Sequence, residues 1–288
     1  MKMLKFRYRI FGLMLIVFLT SSYCEARSNL RTKGLDGYCN KIASCLAMTT
    51  TPVYSITEPR TRTSFNKDWK FFLGDEPGAK SPAFIDTKWR KLTLPHDWSI
   101  EGKFNEKNPA KPEGGGLPTG IGWYRKEFTA PANFASRLIT IEFDGVYKNS
   151  EVWVNGKYLG KRPYGYASFS YEISRFLKAG KNIIAVKVDN SAQPDSRWYS
   201  GSGIYRNVWL TSTAKVAVAK WGTFVTADQS GRVEFQAQIQ NKTLKMQTVV
   251  ITNSVFTASG KLIASTIQQN VKIDTSGLEI DRVFDIKD

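Results

Sequence analysis

From about Thr63 onward the chain alternates apolar and polar positions in runs too short for ordinary helices. Leu138-Ile139-Thr140-Ile141-Glu142-Phe143 changes character nearly every residue, which buries one face of an extended strand and leaves the other wet. Residues 123–128, 183–188 and 205–210 read the same way. Ser150-Glu151-Val152-Trp153-Val154 runs into Asn155-Gly156 and then Lys157-Tyr158-Leu159-Gly160. Asn-Gly accepts the two positive φ angles of a type I′ turn, so this stretch predicts a tight hairpin. One helical turn is expected, at 173–178, stopped by Ala179-Gly180. Many short strands separated by long loops predict an all-β fold, with a jelly-roll sandwich over 63–213.

A second β unit is expected over 214–288. Val233, Phe235, Ala237 and Ile239 alternate with polar residues and mark one buried sheet face. Residues 249–256 and 261–267 flank Ala258-Ser259-Gly260, a hairpin-like connection. The pattern resembles an immunoglobulin-like sandwich, which takes about 100 residues. Residues 214–288 are fewer, so a partial sandwich lacking one or two strands is expected. Residues 27–62 mix Ser, Thr, Asn and Lys without a sustained period and read as a leader or linker. At the start, Lys2, Lys5, Arg7 and Arg9 precede a short apolar run and a polar stretch ending Cys24-Glu25-Ala26. The run is short for a bilayer span and fits a signal peptide over 1–26, which predicts a secreted or periplasmic protein. An outer-surface lipoprotein is the alternative, but Tyr23 is bulky where a lipobox takes a small residue. No other segment is long and apolar enough to be expected to span a membrane.

Charge changes this picture little. The chain has 41 Lys and Arg against 25 Asp and Glu, a formal net charge of +16. The basic residues are spread through strand-like segments with no tight cluster, so a solvated basic surface is expected and no nucleic-acid partner. Cysteines are few. Cys39 and Cys45 fall in the leader, where an oxidising compartment would let them pair, and whether they do is open. One His and two close Cys do not build a zinc site, so neither a metal nor a cofactor is expected. Aromatic residues make up 13% of the chain, which suits both a sandwich core and the stacking of sugars.

Six segments, in order, carry a family resemblance: Phe65-Asn66-Lys67-Asp68-Trp69-Lys70-Phe71; Leu94-Pro95-His96-Asp97-Trp98; Pro118-Thr119-Gly120-Ile121-Gly122-Trp123-Tyr124-Arg125; Phe143-Asp144-Gly145-Val146 with Val152-Trp153-Val154-Asn155-Gly156; Val188-Asp189-Asn190; and Arg197-Trp198-Tyr199-Ser200-Gly201-Ser202-Gly203-Ile204-Tyr205-Arg206. Together they resemble the sugar-binding domain of glycoside hydrolase family 2, in particular its β-galactosidase-like members. Each segment also has a plainer structural reading. Trp153 is expected to be packed, His96 to shape its loop, and Glu142 with Asp144 to form a solvated strand face rather than a catalytic pair.

The resemblance implies a retaining glycosidase with two glutamates, an acid and a nucleophile. In the family these glutamates lie in a TIM barrel after the two sandwiches, and a barrel needs about 250 residues. No such stretch is left in this chain, so no catalytic residue is assigned. The resemblance further implies that two jelly-roll loops reach the mouth of that barrel. One carries an Asn, matched by Asn108. The other carries an Asp, matched by Asp195, with Arg197 and Trp198 beside it. The expected ligand is a β-galactoside-type glycan and the expected partner the C-terminal barrel; the oligomeric state is not legible. Asn108 and Asp195 are expected on one edge of the sandwich, with Trp198 or Tyr199 as a stacking face. A stand-alone carbohydrate-binding module and a cell-surface structural sandwich stay open as alternatives.

Overall fold

The computed structural model describes residues 60–286; the expected signal peptide, the leader up to residue 59, and Cys39 and Cys45 lie outside them. The described chain is all-β and divides into two units, one spanning Arg60–Ala214 and one starting at Lys215.

The first unit is a jelly-roll sandwich of two antiparallel sheets. One has the strand order β1-β10-β5-β8, built from Thr61–Ser64, Val208–Thr213, Leu138–Phe143 and Phe169–Glu172. The other has the order β3-β2-β4-β9-β6-β7, built from Arg90–Leu92, Trp69–Leu73, Gly120–Thr129, Lys181–Asn190, Ser150–Val154 and Lys157–Arg162. Phe65, Trp69, Tyr124, Ile139, Ile141, Phe143, Val152, Ile184, Val186 and Val208 fill the space between the sheets. Ile139 and Ile141 contribute from one side of the alternating strand, as its period requires. The hairpin forms at Asn155-Gly156, whose φ angles of 49° and 77° are the pair a type I′ turn needs.

The six-stranded sheet is covered on its outer face too. Trp123, Trp153 and Ala185 pack there with Ala79 from the loop that joins β2 to β3. Trp153 is buried and stacks on Trp123 at 5.4 Å. Burial on both faces explains why 183–186 is an unbroken apolar run rather than an alternation. Arg125 pins the covering loop: Nε donates to Asp86 Oδ2 at 2.8 Å, and the guanidinium also donates to the carbonyls of Ala79, Ser81 and Phe84.

Three expectations need correcting. The expected helical turn is a single 3-10 turn at Ser174–Phe176, one of several, because short loops between strands close on i→i+3 bonds at Pro77–Lys80, Ser99–Glu101, Pro112–Gly114 and Phe134–Ser136 as well. Tyr205 and Arg206 do not open a strand. Tyr205 Oη donates to the Gly165 carbonyl at 3.0 Å, and β10 starts only at Val208. Glu142 is 6% exposed rather than solvated. It accepts from Thr211 Oγ1 at 2.8 Å and from Arg62 Nε at 3.3 Å, while Arg62 Nη2 reaches Asp144 at 3.5 Å. Arg62 therefore spans both carboxylates and lies 4.0 Å over the Trp209 ring, which leaves the pair no catalytic geometry.

Among the described residues the second unit holds five strands. Val216–Ala227, Arg232–Asn241 and Leu278–Asp285 form one sheet, in the order β11-β12-β15. Gln247–Phe256 pairs with Leu262–Ile273 in the other, β13-β14. Phe235, Ala237, Ile239 and Ile280 face Val249, Ile251 and Ile273 across the interior, the packing of an immunoglobulin-like sandwich. No helix among the described residues is long and apolar enough to cross a membrane.

Candidate functional site

The quoted motifs turn out to knit one set of loops together. The chain between β3 and β4, residues 93–119, meets the chain between β9 and β10, residues 191–207. His96 N donates to Ile204 O at 2.9 Å and Trp98 N to Ser202 O at 3.1 Å. Asp97 works from the same place: Oδ1 accepts from the backbone N–H of Ser99 and of Ser202, both at 2.9 Å, and Oδ2 accepts from Tyr199 Oη. Ser99 Oγ lies 2.6 Å from Pro118 O and 2.7 Å from Ser202 Oγ. Asn190 Nδ2 donates to Gly201 O and Ser202 Oγ. Gly203 adds a third segment, exchanging two 2.9 Å backbone bonds with Tyr147. These bonds pair Asp97, Ser99, Asn190 and Ser202 across the loops and fix their register without a sheet, while Trp98 Nε1 and Thr119 Oγ1 are buried there without a hydrogen-bond partner.

His96 shapes this edge from below. Arg90 Nη2 lies 2.9 Å from Nε2, and a guanidinium can only donate, so Nε2 accepts and the ring proton sits on Nδ1, facing Tyr124 Oη at 2.7 Å. Glu101 Oε1 is 3.3 Å from Nε2 and takes Arg90 in a two-pronged pair at 3.0 and 2.6 Å. Burial pushes the imidazole below its ordinary value of 6.5; Glu101 opposes this and Arg90 reinforces it. The folded state therefore binds fewer protons than the unfolded one just below pH 6.5, and the stability held above that pH should fall as the solution is acidified. Urea midpoints at pH 7.5 and pH 5.0, compared with those of His96→Gln, measure the effect. The wild-type chain should lose more stability over that interval than the variant, and equal losses would remove His96 as the cause.

The expected site residues lie on this loop edge. Asn108 spends its amide on its own loop: Nδ2 donates to Gly116 O at 2.7 Å and to Lys103 O at 3.1 Å. It is a turn residue by its bonds. Asp195 is different. Tyr147 Oη, at 2.9 Å, and Lys148 Nζ both donate to Oδ2, and neither falls on Oδ1. Burial pushes the carboxyl up, but the hydrogen bonds from Lys148 and Tyr147 prevail and hold it below its ordinary value. Burial, with the neighbouring Asp195 carboxylate, takes the Tyr147 hydroxyl up to about 12. Asp195 is a fixed, ionised acceptor.

The two loops that carry Asn108 and Asp195 touch. A Cβ placed at Gly115 would sit 3.2 Å from the Tyr199 ring, and one at Gly114 would be 4.0 Å from Ser196 O. Tyr199 lies against the Asn108 loop, with its hydroxyl committed to Asp97. Trp198 is exposed and its Nε1 donates to Tyr166 Oη at 2.9 Å. Arg197 is exposed, with no hydrogen bond or ion pair among the described residues. Sequence reasoning missed Tyr147, Lys148, Tyr164 and Tyr166. Tyr147-Lys148 directly follows the Phe143-Asp144-Gly145-Val146 motif, and Tyr164-Gly165-Tyr166 is an aromatic pair in a loop, so both carried a signal. Among the described residues no group of three or more His, Cys, Asp or Glu is placed to hold a metal ion.

These loops belong to a described family. The sequence model for "Glycosyl hydrolases family 2, sugar binding domain" matches residues 63–214. A β-galactosidase of Bacteroides ovatus is 48% identical over 217 residues, which is 74% of this chain and 26% of that protein. A β-glucuronidase of Formosa agariphila is 28% identical over 240 residues, 74% of this chain and 24% of the relative. A crystal structure of a glycosyl hydrolase family 2 member from Bacteroides cellulosilyticus superposes with a TM-score of 0.73 at 31% identity, covering 77% of this chain and 30% of that one. The chain thus spans about a quarter of the length of the curated relatives it matches. With the jelly-roll, its loop motifs and these likenesses in agreement, the chain belongs to glycoside hydrolase family 2.

Proposed function

We propose that this chain is the N-terminal, non-catalytic portion of an exported retaining β-glycosidase that acts on a β-galactoside-type glycan. The two catalytic glutamates then lie in a TIM barrel beyond these residues, and the jelly-roll supplies substrate contacts at the barrel's mouth. The observation that carries this reading is Asp195: a carboxylate kept ionised by Lys148 and Tyr147, with both donors on one oxygen, at a loop edge that also presents Arg197 and Trp198. An ionised carboxylate accepts from sugar hydroxyls, a guanidinium donates to them, and an indole covers the apolar face of the ring. Asn108 serves by holding its loop against Tyr199 and by its remaining side-chain carbonyl. The basic and apolar start of the chain supports export, with cleavage near Ala26.

A chimera tests this. The 288-residue chain alone should hydrolyse no chromogenic β-galactoside. Substituted for the matching region of the Bacteroides ovatus β-galactosidase, it should give an active enzyme. In that enzyme Asp195→Ala should lower kcat/KM on the order of 10- to 100-fold, the effect of losing a hydrogen bond to a charged group worth about 1.5–3 kcal/mol. Turnover by the purified chain alone would overturn the non-catalytic assignment, and an active chimera indifferent to Asp195→Ala would overturn the assigned contact.

A further inference from the structure

Beside Asp195 the loop between β7 and β8 carries Pro163-Tyr164-Gly165-Tyr166, and its rings are bare. Tyr164 is 65% exposed, Tyr166 42% and the neighbouring Trp198 60%. They are not scattered. The Tyr164 and Tyr166 ring centres are 5.7 Å apart, and Tyr166 Oη accepts from Trp198 Nε1 at 2.9 Å. Each of these two polar tips is taken by the other, so what Tyr166 and Trp198 offer the solvent is ring surface.

The patch is also held rigidly from beneath. Tyr147 is buried and meets Tyr166 edge-on at 5.3 Å. Gly165 closes over Tyr147 so tightly that a Cβ there would lie 2.2 Å from its ring, and the Gly165 carbonyl accepts from Tyr205 Oη at 3.0 Å. A loop ordered by buried contacts, with its aromatic faces turned outward, loses little conformational freedom when something settles on it. A contiguous aromatic patch on an otherwise polar loop edge is the mark of a binding surface rather than of a core. Arg197 and Arg206 are exposed nearby, Arg206 close to Tyr205, and both side chains only donate.

We propose that Tyr164, Tyr166 and Trp198 form a platform on which the pyranose rings of a β-linked polysaccharide stack. The C–H faces of the sugar cover the rings, and Arg197 and Arg206 donate to its hydroxyls. The ligand here is the body of a glycan chain, which meets the reacting sugar at Trp198 and Arg197 and continues over Tyr166 and Tyr164, whereas Asp195 addresses hydroxyls of the reacting sugar alone. The proposal rests on the chain's reading as part of a β-glycosidase, but it needs no turnover, so the two fail separately.

Affinity electrophoresis of the full 288-residue chain is the test, in gels containing β-1,4-galactan, β-1,3-glucan or polygalacturonate. One of the two β-linked neutral polymers should retard the chain. Trp198→Ala and Tyr166→Ala should each weaken that retardation at least fivefold, and Tyr164→Ala/Tyr166→Ala/Trp198→Ala should abolish it. Trp221→Ala, at an exposed ring in the second unit, should change nothing. All the substituted rings are exposed, and unchanged melting curves confirm that the fold is kept. Three results overturn the proposal: no retardation by either neutral polymer, retardation that survives the triple variant, or retardation by polygalacturonate alone that high salt removes. The last would mark a basic surface rather than an aromatic platform.

Discussion

Asp86→Ala should destabilise the jelly-roll by about 3–5 kcal/mol, the range for leaving a buried charge without its partner. Arg125 makes the effect this large. It is 1% exposed, under the loop that covers the six-stranded sheet, and Asp86 is its only carboxylate partner among the described residues. Lys70 Nζ reaches the other oxygen of Asp86 at 2.5 Å, so the same substitution strips two cations. The carbonyls of Ala79, Ser81 and Phe84 still accept from the guanidinium, but carbonyl dipoles do not neutralise a charge. Urea unfolding followed by tryptophan fluorescence reads the loss, and the melting temperature should fall roughly 6–20 °C. Asp86→Asn keeps an acceptor in place and should lose less than Asp86→Ala. A loss below about 1 kcal/mol for Asp86→Ala would mean that water reaches Arg125, and that the loop is not pinned as described.

Much of the fold was legible because two signals survive without tertiary context. Alternation survives where a strand has one buried face, which is why Arg232–Asn241 was readable; Leu138–Phe143 carries the same alternation in sequence but is buried on both faces. Asn155-Gly156 survives because the turn chemistry is local. What failed depended on distant partners. Tyr205 has the aromatic character of a strand residue, yet Gly165, far away in sequence, captures its hydroxyl. Glu142 looked solvated because its cover, Arg62, reaches it from β1, across β10 and 80 residues earlier in the chain.

The site divides along the same line. The motif residues Asp97, Asn190 and Ser202 were visible as a pattern, but their work, bonding loop to loop, shows only once the loops are brought together. Asn108 and Asp195 drew attention as a matched pair of polar residues, and the structure separates them by chemistry. One bonds within its own turn, while the other is an ion held by Lys148 and Tyr147 from the β5–β6 connection. Tyr147-Lys148 follows a motif and so could have been noticed, but no local pattern could name the two as partners of Asp195. The Tyr164–Tyr166 pair was readable as composition and not as surface, because exposure of a ring is a property of everything around it.

Gly203→Ala should cost about as much as Asp86→Ala and should also disturb the site, which Asp86→Ala should not. Gly203 has φ of 125°, a region that L side chains rarely adopt, and forcing Ala there costs about 1–3 kcal/mol. Space is the second term. An added Cβ would sit 2.4 Å from Tyr124 Oη and 2.7 Å from His96 O, and relieving such overpacking costs about 1–3 kcal/mol more. Neither neighbour can yield cheaply: Tyr124 is fully buried and bonded to His96, and the His96 carbonyl belongs to the backbone. Gly120 separates the two terms, because its φ of 122° is nearly the same while nothing lies within 4 Å of its Cβ position. Gly120→Ala should therefore show the backbone term alone, and Gly203→Ala should exceed it by at least 1 kcal/mol in the same urea titration. The movement that relieves the clash must also pass along 195–203, since Gly203 holds Tyr147 by two backbone bonds and Tyr147 holds Asp195. In the chimera, Gly203→Ala should then weaken the substrate contact of Asp195 and raise KM, while Gly120→Ala leaves it near wild type. Equal losses of stability from the two alanines would show that the loop edge gives way freely around Gly203, and the account of a rigid edge would fail with it.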